Sequence, residues 1–180
     1  MTDISRAAGI SRATLYQYFN DKASVVEATA EEASRDFYQK MARAMAPGCS
    51  LQEQLSLAAV FVVEAGREIR SSSQLFDETQ IGLLMTSNAA TLLRDCVAFL
   101  EPFLDSAKTA GEVRKDLDTD RAAEWFARIL FSLYSTPSPV VDLHDRDAVL
   151  RFVSDHVVAG FGPPPARRST RTERRPAQMS

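Results

Sequence analysis

The sequence predicts an all-α protein. Three observations carry that expectation. Apolar residues recur at i, i+3 and i+4 through segment after segment. No stretch of useful length alternates apolar with polar residues as a half-buried strand does, and no internal repeat is visible. Finally, Gly, Pro and Ser clusters (Pro47-Gly48, Ser71-Ser72-Ser73, Ala110-Gly111, Thr136-Pro137-Ser138-Pro139) fall between those segments and stop them. At 180 residues, 45% hydrophobic and 25% charged, the chain has ordinary globular composition and enough apolar material for a sizeable core.

The elements follow in order. Residues 2–8 read as a short helix, with Thr2 or Asp3 at its start and Ile4 and Ala7 or Ala8 on its apolar side. Gly9 ends it, because a residue without Cβ takes the left-handed conformation cheaply; Ile10 should then turn inward. Ser5 is small and would let a second helix cross closely. Ser11 caps that second helix, about 11–18, whose Leu15 and Tyr18 or Phe19 face a core. Asn20 and Asp21 cap a long helix over about 21–45, with an apolar stripe of Ala33, Phe37, Met41 and Met45. A helix over about 50–69 is apolar on more than one face, so it should be central.

A shorter helix is expected at about 74–85, then a strong pattern at about 87–110 (Leu92, Cys96, Phe99, Leu100, Phe103, Leu104) that Pro102 should kink or divide. Residues 111–118 form a charged loop. Helices at about 119–135 and 145–160 complete the body, and Pro163-Pro164-Pro165 with the residues after it cannot bury a core and should be disordered.

Charge and cysteine usage narrow the classes. The net charge is −3, but residues 163–180 hold five arginines against Glu173, so residues 1–162 stand at −7. A chain this acidic would touch nucleic acid only through a local patch; the basic tail would add non-specific affinity or simply be solvated. Cys49 and Cys96 have no metal-ligand spacing and make no disulfide framework, and Cys96 reads as core. Met1 is followed at once by Asp3 and Arg6, unlike a signal peptide, and the longest apolar run, Leu57–Val63, is too short for a bilayer, so a cytoplasmic protein is expected. His144 and His156, the latter on an apolar face, read as structural. No metal or cofactor is expected, and the chain has no nucleophile, acid–base or phosphate-loop constellation, so an enzyme is not expected.

The first two dozen residues therefore carry the chemistry. Two short helices around Gly9, followed by a capped long helix, form a helix-turn-helix whose outer face shows Arg12, Thr14 and Tyr16, with Gln17 beside them: groups that donate to bases and phosphates. The string Thr2-Asp3-Ile4-Ser5, Ala7-Ala8-Gly9-Ile10-Ser11, Thr14-Leu15-Tyr16-Gln17-Tyr18-Phe19 and Asp21-Lys22 resembles the DNA-binding signature of TetR-type (TetR/AcrR) transcriptional regulators. Ala110 to Asp118 resembles the loop before the first of the family's two dimer helices.

The resemblance implies a helix-turn-helix domain over 1–46, a helical regulatory and dimerisation domain over 50–162, and a basic tail over 163–180. It implies double-stranded DNA as partner, a homodimer through the helices at about 119–135 and 145–160, and an inverted-repeat operator. It assigns Thr2 to a phosphate, Ser11, Arg12 and Thr14 to the recognition face, Tyr16 and Tyr18 to backbone or sugar, and Lys22 to a phosphate. Arg12 stands between a guanine contact and a phosphate contact, and Tyr18 between the DNA backbone and the core. The body should hold a small apolar or aromatic effector. Phe61, Glu64, Phe76, Phe99, Phe103 and Trp125 are the candidate lining, with ordinary core the alternative for each.

Against the family pattern, the usual helix in front of Thr2 is absent. Either the start is misassigned or trimmed, or the DNA-binding unit is weakened. Ile4, Leu15 and Phe19 should then lack cover. The competing function is a dimeric ligand- or protein-binding helical domain without DNA binding.

Overall fold

The computed structural model describes residues 1–46, 48–72 and 88–162. Those residues form seven α-helices: α1 Thr2–Ala7, α2 Arg12–Tyr18, α3 Lys22–Ala44, α4 Leu51–Ser72, α5 Ala89–Ala110, α6 Thr119–Ser135 and α7 Arg146–Phe152. Beyond α7 the chain continues as a π-turn over Val153–Val157 and a 3-10 turn over Ala159–Phe161. No strand occurs among the described residues, and the all-α expectation holds. The helix expected at about 74–85, with Phe76 in it, and the tail 163–180 lie outside the described residues.

Local chemistry sets the helix ends. Asp21 and Ser24 make a reciprocal capping box at the start of α3: the Ser24 N–H donates to the Asp21 carboxylate at 2.8 Å, and the Ser24 hydroxyl faces the Asp21 N–H at 3.3 Å. Those bonds from Ser24 hold the Asp21 carboxyl below its ordinary pKa. A lowered carboxylate pKa means the cap supports α3 at neutral pH and is lost as pH falls through the lowered value. Ser50 and Glu53 build the same box at α4, with Ser50 N–H to Glu53 at 3.0 Å. A second carboxylate reaches the same helix end from far along the chain: Glu112 accepts from the Leu51 N–H at 2.8 Å. That bond ties the 111–118 loop to α4, and Val113 and Leu117 bury beside it.

The core belongs to the body. Helix α4 touches α3, α5, α6 and α7, as its all-round apolarity required. Leu55, Ala58 and Ala59 on α4 and Ala123, Phe126 and Ala127 on α6 are all 0% exposed. The alanines let the two helices approach closely, and Phe126 supplies the bulk. Met41 and Met45 anchor the end of α3 in the same core. The first 40 residues contribute only Ser5 and Leu15 to the buried set.

Three expectations need correction. Of the two outcomes expected at Pro102, a kink or a division, division does not occur: α5 runs unbroken from Ala89 to Ala110. Pro102 is exposed, while Cys96, Leu100, Leu104 and Ala107 bury on the opposite stripe; that burial outweighs a proline cost of about 3 kcal/mol. The last helix is not uniform. The Val158 N–H reaches back to Val153 O at 3.1 Å, an i→i+5 bond, and the extra residue in that turn brings both Val157 and Val158 into the core. His156 therefore faces solvent beside Phe152 rather than lying on an apolar face. Ile10 is 40% exposed instead of turned inward, because the turn at Gly9 is closed by backbone bonds and needs no apolar anchor.

Candidate nucleic-acid interface

The turn between α1 and α2 is built by the backbone. Gly9 takes φ +67°, its N–H donates to Arg6 O at 3.2 Å, and the Ile10 N–H donates to Ser5 O at 3.0 Å. This pair of bonds is a Schellman stop, and it leaves α2 to start at a new angle. Ser5, 5% exposed, donates its hydroxyl to Thr2 O at 3.0 Å and so buries without an unmet polar group. Nothing lies within 4 Å of where a Gly9 Cβ would be, so the position is selected by φ alone. Gly9→Val should therefore destabilise the head by about 1–2 kcal/mol, read as faster amide exchange at Ile10. Gly9→Asn should cost less, since asparagine tolerates this conformation.

On α2 the Ser11 side chain accepts from the Thr14 N–H at 3.0 Å and pairs with the Thr14 hydroxyl at 2.8 Å. Both hydroxyls thus serve the helix start, which leaves Thr14 half-buried. Leu15, 4% exposed, is the inward anchor of α2. Stepping about 100° per residue from it puts Ala13 and Gln17 opposite, both exposed. Arg12 and Tyr16 flank them on one side and Thr14 and Tyr18 on the other. Gln17 thus belongs at the centre of the outward face, where its amide can bond adenine N6 and N7 together. The wheel drawn from Leu15 was the signal for it.

Tyr16 is 46% and Tyr18 77% exposed, which removes core packing as the role of Tyr18. Among the described residues the side chains of Arg12, Tyr16, Gln17, Tyr18 and Lys22 make no hydrogen bond or ion pair. Arg6, by contrast, is paired with Asp3 at 3.2 Å. Thr2 is exposed at the start of α1, where its carbonyl accepts from the Ser5 hydroxyl. Helix α2 and the first residue of α3 therefore present two unpaired cations, two phenols and an amide. Such a surface can take phosphates with Lys22 and base edges with the first turn of α2.

Behind this head lies an apolar cleft of ≈ 830 Å³. One wall is α3, from Val25 and Val26 through Ala30 and Phe37 to Met41; Ile4 of α1 closes one end. The other wall is Leu92 and Cys96 of α5 with Leu130, Phe131 and Tyr134 of α6. Burial pushes the Cys96 thiol up to about 12, so it stays protonated at neutral pH. Tyr38 is raised by burial as well.

Phe61, Glu64, Phe99, Phe103 and Trp125 are not among the residues that line this cleft. Phe61 and Phe99 stand one layer behind it, 5.2 Å from Phe37 and 5.0 Å from Tyr38 by ring centroid, and Phe103 packs on Phe99 at 5.3 Å. Glu64 pairs with Arg146 at 3.6 Å near solvent. Trp125 is 49% exposed, and its indole N–H donates to Val157 O at 3.4 Å. Helical spacing marks which residues are apolar, but which of them border a gap depends on how α3, α5 and α6 are placed relative to one another. His144 meets Arg67 at 3.3 Å.

The architecture and this surface define a class: a helix-turn-helix head joined by one long helix to an all-α body. Residues 1–29 match the family model described as bacterial regulatory proteins, tetR family. The match covers the helix-turn-helix and the start of α3, and gives that head the fold of the family's DNA-binding domain. A comparison with curated proteins returned none that matches. No described helix is long and apolar enough to cross a membrane.

Proposed function

We propose that this chain is a ligand-responsive transcriptional repressor that binds an inverted-repeat operator in double-stranded DNA as a homodimer, in the cytoplasm. The observation that carries the reading is the set of unpaired, exposed Arg12, Tyr16, Gln17, Tyr18 and Lys22 within the matched helix-turn-helix. Thr2, Ser11 and Thr14 complete the reading face, the last two by fixing the start of α2. A small apolar effector enters the body, and its differential affinity for two head orientations sets whether both heads reach their half-sites. The test is a mobility shift or fluorescence-anisotropy titration on the DNA upstream of its own gene. Saturable binding that outcompetes random duplex supports the reading; equal affinity for both sinks operator recognition.

The domain plan of the proposal follows the same lines: a head over 1–46, a regulatory and dimer body over 50–162, and a basic tail over 163–180. The dimer is proposed to form through α6 and the segment from α7 to the 3-10 turn. Trp125 supports this, being a large apolar side chain half in water beside half-buried Ile129. It is also the only tryptophan in the chain, so the interface carries its own reporter. Dilution should shift its fluorescence to the red as the dimer parts. Trp125→Arg should leave a monomer by sedimentation while keeping the helical content. A dimer that survives the substitution would place the interface elsewhere.

A second reading has one observation behind it. The head buries only Ser5 and Leu15 within the first 40 residues, with Ile4 and Phe19 half-buried. A domain so thinly packed has little free energy with which to hold its own fold. The alternative is a dimeric ligand- or protein-binding helical domain that does not bind DNA, and a clean negative in the same titration at low salt selects it.

A further inference from the structure

We propose that residues 163–180 make a second, sequence-independent contact to duplex DNA at the opposite pole of the molecule from the reading head, so that one molecule holds two duplexes together. The bridging rests on the DNA-binding reading above; the contact made by the tail does not.

Charge is segregated along the chain. Residues 163–180 hold Arg167, Arg168, Arg171, Arg174 and Arg175 against Glu173, whereas residues 1–162 stand at −7. Between Arg167 and Arg175 there is no apolar side chain; Ser169, Thr170 and Thr172 fill the gaps. Guanidinium forks and hydroxyls bond phosphate oxygens without reading a base sequence.

The fold decides where this charge lies. Gly162 lines a small cavity together with Ser50, Leu51 and Glu112, and the Arg114 N–H donates to the Phe161 carbonyl at 2.9 Å. The tail therefore leaves the body beside the start of α4. The Gln52 side-chain amide, which donates to the Ser154 hydroxyl at 2.6 Å, fixes the same end. The other end of α4 faces the head, since Ile69 borders the cleft that Ile4 and Val25 also line. From Leu51 to Ile69 is about 27 Å of helix, and α3, which joins head to body, is about 33 Å long from Lys22 to Ala44.

Reach then separates the two poles. An extended chain spans at most about 3.3–3.6 Å per residue. Measured from Gly162, Arg167 and Arg168 come no further than about 20 Å, and Arg171 no further than about 30 Å. Arg174 and Arg175 cover the distance to Lys22 only when the tail is nearly straight. Most of its charge is out of range of the phosphates that the head would hold.

The described carboxylates around the exit are already engaged. Glu112 accepts from the Leu51 N–H at 2.8 Å, and Glu53 accepts from the Ser50 hydroxyl at 2.8 Å. Asp116 pairs with Arg114 at 2.8 Å, and Asp118 with Arg121 at 3.2 Å. A duplex instead offers a dense row of phosphates covered by exchangeable counterions, and their release drives the binding of a cationic segment.

The test uses the full 180-residue protein, a variant with all five tail arginines changed to glutamine, and a second with all five changed to lysine. Circular dichroism checks the fold of each. A fluorescent duplex of random sequence is titrated by anisotropy at rising salt. The parent's log–log salt dependence should be steeper than the glutamine variant's by about 4 in slope, at about 0.9 for each phosphate neutralised. The lysine variant should follow the parent, because charge alone is used. Equal slopes for the parent and the glutamine variant overturn the tail contact, and so does a lysine variant that behaves like the glutamine one.

Bridging is read separately. Beads carrying the DNA upstream of the protein's own gene are loaded with protein, washed, and offered the fluorescent random duplex at low salt. Beads loaded with the parent should retain several times more of it than beads loaded equally with the glutamine variant. Equal retention, with the slope difference intact, puts the tail on the head's own duplex and overturns the two-pole placement. If the glutamine variant does not load while the slope difference persists, the operator reading and the bridging fall together and the tail contact stands.

Discussion

Truncation of Phe126 to alanine is expected to remove about 3–5 kcal/mol of stability, a large share of the total for a domain of this kind, which is about 5–15 kcal/mol. Phe126 is 0% exposed and shares its core cluster with the fully buried Ala58, Ala59, Ala123 and Ala127 of α4 and α6. The cost of a cavity depends on how far its walls collapse. Alanines have no rotamers with which to fill the space, and the two helices they belong to are already close. Urea unfolding followed by Trp125 fluorescence measures it, with an unchanged m-value as the sign of an unaltered unfolded state. Leu133→Ala, nearer the surface at 9% exposure, should cost less. A loss below about 1 kcal/mol at Phe126 would mean that α4 and α6 are not seated as described.

The second large effect belongs to the reading face. Arg12→Ala should weaken binding to the preferred operator by about 1–3 kcal/mol per half-site and weaken random duplex much less. The N-terminal residues of a recognition helix reach base edges, and Arg12 is the first residue of α2, exposed and unpaired among the described residues. Its fork matches O6 and N7 of guanine. Lys22→Ala is the contrast. It should weaken all sequences alike and flatten the salt dependence by about 0.9 in slope for each phosphate that is no longer neutralised. Equal losses on operator and random DNA for Arg12→Ala would reduce it to a phosphate contact. An unchanged salt slope for Lys22→Ala would remove its phosphate role.

How much of this was legible in the chain varies with the reach of the interaction. Caps at Ser11, Asp21, Asp118 and Asp145 are local bonds within three residues, and each helix start they imply is where the sequence pattern puts it. The stop at Gly9 is local in the same way. Pro102 misled because its cost is also local, whereas the stripe from Cys96 to Ala107 that overrides it gains from burial against other helices. The π-turn after α7 was invisible for a related reason. It depends on both Val157 and Val158 finding a core, and on an indole donor from α6 taking the Val157 carbonyl.

The reading face shows the same division. Arg12 and Tyr16 are exposed as residue type and spacing led one to expect, because a short helix exposes what its anchor does not bury; Tyr18 and Lys22 entered through the family resemblance alone. The cleft was not identified. Its lining residues, Val26, Ala30, Leu92, Cys96 and Leu130, look in sequence like any core positions, and the aromatic candidates turned out to stand behind them or on the surface.

The sequence by itself determined the all-α class, the capped helix starts and the residue chemistry of the α1–α2 pair, because each rests on contacts within a turn or two. Only the tertiary structure decided which apolar side chains meet and which are left facing a gap. That depends on the relative placement of α1, α3, α5 and α6, and burial counts area without recording which partner supplies it.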